Sequence, residues 1–416
     1  MRIGIHRVLP LARAALGAAA VLLLAVSSPA AQDKPSMHRL MQFHQKGMTP
    51  KAYVGMHLFF DTRLSEPAGL SCASCHDPAR AFTGNNNTTI GVALGSRPGT
   101  LGFRDSPTLM YLASVPKFGR VEKDGKHVPV GGLFWDGRAD TLEAQAKAPF
   151  FNPVEMNNRD SAMLIAKIAS GYYAAAFRKA WGGRIFDNPD AALDAVAEAL
   201  AAFQRTSAFQ PFSSKFDAVM RGETKFTEQE QRGLGLFTIR QKGNCASCHV
   251  VDEASRDPKK SLFTDFTYHA LGVPRSLRIP RNAADAAYND LGLCGPFRET
   301  PPAKDAKNTK DKDPTTCGLF KTPTLRNVAL TGPYMHNGVF DNLRDAVAFY
   351  ATRDTDPKKW FPDGKKFNDL PAQYHGNVDV ETPPYQRRPG QRAQLNDEEI
   401  DDIVALLKTL TDGYRP

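Results

Sequence analysis

Cys72-Ala73-Ser74-Cys75-His76 returns letter for letter as Cys245-Ala246-Ser247-Cys248-His249. A Cys-x-x-Cys-His run is the attachment signature of a c-type haem. The two thiols add to the vinyl groups, and the next residue offers an imidazole to the iron. A zinc site or a redox dithiol is the bland alternative. Zinc, however, needs four ligands around one ion, and here each cysteine pair carries its own histidine far from the other pair. A dithiol has no use for a histidine after the second cysteine in both copies. The chain therefore reads as a protein of two covalently bound haem c groups, with Cys72, Cys75, His76, Cys245, Cys248 and His249 holding them.

The N-terminus is consistent with that chemistry. Arg2, Arg7 and Arg13 form a basic region, Ala14 to Val26 an apolar one, and Ser28-Pro29-Ala30 a small-residue cleavage site. An apolar run of about thirteen residues is too short to span a bilayer as a helix. Residues 1–31 read as a cleaved signal peptide, which places the mature protein in the periplasm. No later segment is long and apolar enough to be a membrane helix. The formal charge is +9, of which three charges leave with the signal and four haem propionates offset more. No basic block interleaved with aromatics argues for nucleic acid.

A similar phrase precedes each motif: Gly55-Met56-His57-Leu58-Phe59 and Gly233-Leu234-Gly235-Leu236-Phe237. Both read as ends of amphipathic helices leading into the attachment loop, and Thr227 with Glu230 has capping-box spacing. Asn188 or Asp190 to Arg205, and Asn396 to Leu410, carry apolar residues at helical spacing and supply a closing helix to each half, with Gly413 stopping the second. The fold is thus expected to be mainly α: two cytochrome c-like haem domains with long loops and almost no strand. The division assigns residues 32–215 to the first domain and 216–416 to the second, with the boundary between Ser207 and Thr227. Cys294 and Cys317 enclose a segment rich in Lys, Asp and Pro. In an oxidising compartment they could form a disulfide, unpaired thiols being the alternative.

Between the haem motifs lie Phe134-Trp135-Asp136-Gly137-Arg138, then Gln145, then Asn152-Pro153-Val154-Glu155-Met156. Here the sequence resembles the bacterial di-haem cytochrome c peroxidase and MauG family, in which a Trp, a Gln ten residues on and a Glu ten further have defined places. Trp135, Gln145 and Glu155 match that spacing. The resemblance continues through Phe320-Lys321-Thr322-Pro323-Thr324-Leu325-Arg326-Asn327 and Thr331-Gly332-Pro333-Tyr334-Met335-His336-Asn337-Gly338. It implies that Trp135 relays charge between the haems, and that Gln145 and Glu155 line the peroxide side of the first, with Glu155 as acid/base and Pro149 ending the helix that carries Gln145. It also implies a calcium ion near Thr331 and Pro333, with Asp105 of Arg104-Asp105-Ser106-Pro107 standing where the family has Asn.

Two departures set the subgroup. Many of the peroxidases carry a histidine that blocks the first iron, and no histidine lies between Asp77 and Asp105. The first haem is therefore expected to be open without reductive activation. Fourteen residues after His336 the peroxidases place a Met ligand; this chain has Tyr350, as in MauG-like members. A phenolate favours the higher iron oxidation state, where a thioether favours ferrous iron. His336 itself reads as a buried structural histidine near the second haem. The resemblance implies hydrogen peroxide as substrate and either a small electron-donor protein, a cytochrome c or cupredoxin, or a protein substrate. MauG-like oxidation of a partner and non-catalytic electron transfer are the alternatives. Gly243 stands where MauG has a Trp exit for oxidising charge, which argues against that route.

Overall fold

The computed structural model describes residues 47–85, 88–123, 125–298 and 313–415. The signal segment and the charged stretch 299–312 lie outside them. The described chain is mainly helical, as expected. Its longer helices are α1 (Pro50–Phe60), α2 (Leu142–Phe151), α3 (Ser161–Ala169), α4 (Ala174–Trp181), α5 (Pro189–Gln204), α6 (Glu228–Thr238), α7 (Leu343–Thr352) and α8 (Asp397–Lys408). Among the described residues no helix is long and apolar enough to cross a membrane.

Local chemistry sets the boundaries. The side chains of Asn188, Thr227 and Asn396 cap α5, α6 and α8, the last two in full capping boxes with Glu230 and Glu399. Two expected ends move. Gly413 does turn with φ +88°, but α8 already stops at Lys408, where Thr409 caps the chain. Likewise α2 runs two residues beyond Pro149. Its last carbonyls are then taken by the following loop, with Met156 N donating to Pro149 O at 3.1 Å and Asn158 N to Phe150 O at 2.8 Å. Pro149 costs this turn a donor and crowds the preceding turn, but the helix keeps two more residues because its final carbonyls are closed from outside.

The two phrases before the haem motifs share one packing job. A Cβ on Gly55 of α1 would sit 1.9 Å from the Ala199 carbonyl oxygen of α5, and one on Gly233 of α6 would sit 2.1 Å from that of Asp402 of α8. Only glycine allows those backbones to cross so closely, so α1 on α5 and α6 on α8 form equivalent crossed pairs. Helices α2 and α3 also lean on α5, and α7 leans on α8. Around the first pair Phe59, Phe82, Phe203 and Phe209 meet edge to face or tilted. The second is packed by Phe216, Phe237, Phe263, Phe349 and Leu406.

Strand is scarce. The sequence reading placed no hairpin, but β1 (Gly119–Lys123) and β2 (Lys126–Val130) form one, with Lys123 opposite Lys126. Its signal was Asp124-Gly125, a two-residue turn pair between alternating segments. Tyr268–His269 (β3) pairs with Phe320–Lys321 (β4). The hairpin reaches the second haem motif, where Lys123 Nζ donates to the Ser247 carbonyl at 2.9 Å. Cys294 and Cys317 are disulfide-bonded, which closes the charged loop and contributes roughly 3 kcal/mol by chain entropy.

Candidate functional site: two haem cradles and the bridge between them

Each motif histidine is set the same way. His76 Nδ1 lies 3.0 Å from the Phe82 carbonyl, and His249 Nδ1 lies 2.9 Å from the Phe263 carbonyl. Both phenylalanines adopt left-handed backbone, with φ of 53° and 54°, which turns the carbonyl toward the ring. The cradle repeats around them. Thr83 and Thr264 hydroxyls donate to the Ser106 and Thr322 carbonyls, and Thr108 and Thr324 hydroxyls to those of Ala81 and Leu262. Burial drives both imidazoles down to about 4, against the opposing pull of these carbonyls. They are therefore neutral near pH 7, with Nδ1–H committed to a carbonyl and the Nε2 lone pair left for a metal. That is the tautomer an iron ligand requires, and the second bond raises its basicity. The four motif cysteines form no disulfide, and burial pushes the Cys72 and Cys245 thiols up to about 12. The donor set of both motifs fits a covalently attached haem.

A mostly apolar cavity extends from Cys245, Cys248 and His249 past Tyr350 to Trp135, Pro107 and Gln145. Tyr350 enters it from α7, and burial holds its phenol above the usual range. Gln145 enters it from α2. Trp135 ties the halves together: its Nε1 donates to the Asp105 carbonyl at 2.9 Å, and its own carbonyl accepts from Lys321 N at 2.9 Å. The loop around it is anchored by Asp136, which is fully buried and accepts from Arg104 Nη1 at 2.8 Å and Arg138 Nη1 at 2.9 Å. Arg104 also grips Asp290 with two bonds of 2.6 and 2.7 Å.

Glu155, like Cys72, Cys75 and His76, is not among the residues that line that cavity. It sits past the end of α2, where Asn152 Nδ2 donates to its Oε1 at 2.9 Å. Burial raises its carboxyl above the ordinary value, while the charge of Arg138 and the Asn152 bond pull the other way. Trp135, Gln145 and Tyr350 are thus brought to one cavity, with Glu155 joined to them through Arg138 and α2. His336 is buried, with its ring stacked 3.7 Å from Phe320; its carbonyl accepts from Asp105 N at 2.8 Å, a supporting position. Asp105, Thr331 and Pro333 all border the same cavity. Burial lifts the Asp105 carboxyl well above its normal range, against the Asn85 bond and the nearby Arg80 charge. Asn85 Nδ2 donates to Asp105 Oδ1 at 2.9 Å and Arg80 donates to the Gly332 carbonyl, and the described residues gather no group of three His, Cys, Asp or Glu side chains that could hold a metal ion.

Sequence reading assigned no role to Arg138, Asn152, Lys321 or Tyr385. No local signal marks these four; the histidine cradles did carry one, the second repeat of Phe82-Thr83 with Ser106-Pro107-Thr108-Leu109 against Phe263-Thr264 with Thr322-Pro323-Thr324-Leu325.

Two equivalent histidine cradles, each beside a cysteine pair and with a half-buried tryptophan between them, define a di-haem c-type oxidoreductase. Comparison with known proteins agrees. Residues 49–225 match the family described as di-haem cytochrome c peroxidase. The methylamine utilization protein MauG of Paracoccus denitrificans is 41% identical over 371 residues, covering 88% of this chain and 89% of that one. Cytochrome c551 peroxidase of Nitrosomonas europaea is 29% identical, covering 89% and 84%. The crystal structure of the diheme peroxidase BthA from Burkholderia thailandensis superposes with a TM-score of 0.80 at 43% identity, covering 87% and 86%. The chain belongs to the di-haem cytochrome c peroxidase and MauG family, and it is a peroxide-using oxidoreductase.

Proposed function

We propose that the protein reduces hydrogen peroxide at an open haem held by Cys72, Cys75 and His76. Trp135 shares the oxidising charge with a second haem held by Cys245, Cys248, His249 and Tyr350. The observation that supports this most is the placement of Trp135, bonded on one side to Asp105 and on the other to Lys321. The haems would supply the electron transfer. Glu155 takes the proton from the near oxygen of peroxide and returns it to the far oxygen, which leaves as water. Its raised pKa lets one carboxyl do both. Gln145 donates its amide hydrogen to the peroxide, and Arg138 steadies the charged form of Glu155. The apolar lining around Gln145 and Trp135 keeps bulk water from competing for the Gln145 amide.

The remaining parts of the reading follow the same chemistry. Residues 1–31 export the chain to the periplasm, the two haem domains divide near 215, and Asp105 with the Thr331–Pro333 backbone holds calcium. A small cytochrome c or cupredoxin returns the electrons. Mixing the resting ferric protein with peroxide and then a reduced small cytochrome tests it: prompt spectral change and steady oxidation of the donor are expected. No reaction before prior reduction would overturn the open-haem reading.

The likeness to MauG favours a second reading, oxidation of residues on a partner protein. Gly243 is buried, and a Cβ there would lie 2.7 Å from the Leu236 carbonyl oxygen, so the exit used would differ. Cross-linked or hydroxylated partner side chains after peroxide treatment would support it; unchanged partners would count against it.

A further inference from the structure

His57 and Tyr172 form a hydrogen-bonded pair that the peroxide chemistry does not use. Tyr172 is 74% exposed, while His57 is buried on α1. The Tyr172 oxygen lies 2.8 Å from His57 Nδ1. A phenol is the acid of such a pair and an imidazole nitrogen the base, so the hydroxyl donates. Among the described residues His57 Nε2 is buried without a hydrogen-bond partner, which is seldom the case for a buried polar atom. Burial also holds the imidazole below its usual pKa. It is therefore neutral near pH 7, with the Nδ1 lone pair turned to the phenol and free to take its proton.

The surroundings suit a proton acceptor beside a phenol that gives up an electron. The rings of Tyr53, Tyr172 and Tyr173 stand 4.5, 5.1 and 6.1 Å from the imidazole, and aromatic faces accommodate a cation. Tyr173 is the poorer electron source. It is buried, its hydroxyl donates to Asp61 at 2.6 Å, and the Arg63 guanidinium stands 6.0 Å from its ring centre, where a cation opposes oxidation. Although burial raises the Asp61 carboxyl, the bonds from Arg63 and Tyr173 hold it below the ordinary range, so it is a weak base for the Tyr173 proton. Two residues beyond His57 on α1, Phe59 meets Phe82 at 5.8 Å, and the Phe82 carbonyl holds His76. The pair is thus joined to the first haem cradle through α1 and one ring contact.

We propose that Tyr172 is a surface site at which small phenols are oxidised, with His57 as its proton acceptor. The inference rests on peroxide reacting at the first haem. An electron leaves the Tyr172 ring for the peroxide-oxidised protein, the O–H bond breaks, and the proton passes to His57 Nδ1. A neutral phenoxyl is left beside an imidazolium. A phenol from solution then gives its electron to the Tyr172 ring and its proton to water, while His57 returns its own proton to the Tyr172 oxygen. Two such turns supply the two electrons that one peroxide takes up, with two protons from solvent, in forming two waters.

The test is freeze-quenched electron paramagnetic resonance of the haem-loaded ferric protein mixed with peroxide in the absence of a donor. A phenoxyl signal is expected. Ring-deuterated tyrosine should narrow it, guaiacol should quench it, and Tyr172→Phe, a change at an exposed position, should abolish it. His57→Gln keeps a polar side chain without the base and should also lose it. In the unmodified protein a nitroso spin trap should leave its adduct on the peptide that contains Tyr172, which reads the site without any variant. A signal unchanged in Tyr172→Phe would overturn the proposal, as would a prompt spectral reaction with peroxide that yields neither signal nor adduct. A signal kept in a haem-loaded His57→Gln protein would remove His57 as the acceptor, and one indifferent to guaiacol would overturn the assigned substrate. No spectral reaction with peroxide at all would overturn the open-haem reading beneath it, which separates the two failures.

Discussion

Glu155→Gln isolates the proton-transfer step from everything else the residue does. Glutamine has the same shape and keeps an oxygen for Asn152 Nδ2, which donates at 2.9 Å, so the loop after α2 should hold its place. What disappears is a group able to accept a proton and give it back. General acid/base assistance is worth roughly 10²- to 10⁴-fold, or about 3–5 kcal/mol of barrier. The second-order rate of the spectral change on mixing ferric protein with peroxide should fall by that factor. The pH profile gives a second check with a definite sign. The carboxyl must first be ionised to take a proton, and burial raises its pKa, so the parent rate should rise with pH through a limb above the ordinary glutamate range. The variant should lose that limb. A Glu155→Gln protein within about threefold of the parent, with the limb intact, would refute Glu155 as the proton carrier.

Other outcomes follow from the same geometry. Tyr350→Met replaces an anionic oxygen by a thioether and should raise the second haem's potential; a redox titration with that potential unmoved would remove Tyr350 from the iron. Asp217 and Arg326 are both fully buried, joined by bonds of 2.9 and 3.1 Å. Asp217→Asn should cost about 3–5 kcal/mol of stability by stranding the cation, read as a lowered midpoint in denaturant titration of the haem-loaded protein. Chelation should loosen the region around Asp105 and slow charge sharing through Trp135, whose Nε1 bond ends on the Asp105 carbonyl. Loss of bound calcium with no change in the peroxide reaction or the spectra would detach the ion from that bridge.

Covalent chemistry made much of this legible in the residues. Cys72-Ala73-Ser74-Cys75-His76 and its copy declare their cofactor because attachment needs that order of side chains, and the capping boxes at Thr227 and Asn396 declare helix starts because the donors are local. Gly55 and Gly233 appeared as a repeated phrase, but their purpose, to let two backbones touch, belongs to partners more than a hundred residues away. The 119–130 hairpin carried a readable turn pair that an expectation of almost no strand passed over. Trp135, Gln145 and Glu155 were singled out by the family resemblance, whose spacing they match. That spacing could not reveal that Asn152 holds the Glu155 carboxyl, because the bond is set by the way the loop after α2 turns. Tyr385 gave no local signal at all, since a tyrosine after two prolines means nothing until the chain brings it beside Tyr350.

Low-temperature electron paramagnetic resonance of the resting ferric protein looks straight at the two irons. Two signals of equal weight are expected: a high-spin one from the haem on His76 and a low-spin one from the haem shared by His249 and Tyr350. Two low-spin signals would mean that a side chain fills the first iron's sixth position, and the account would fail.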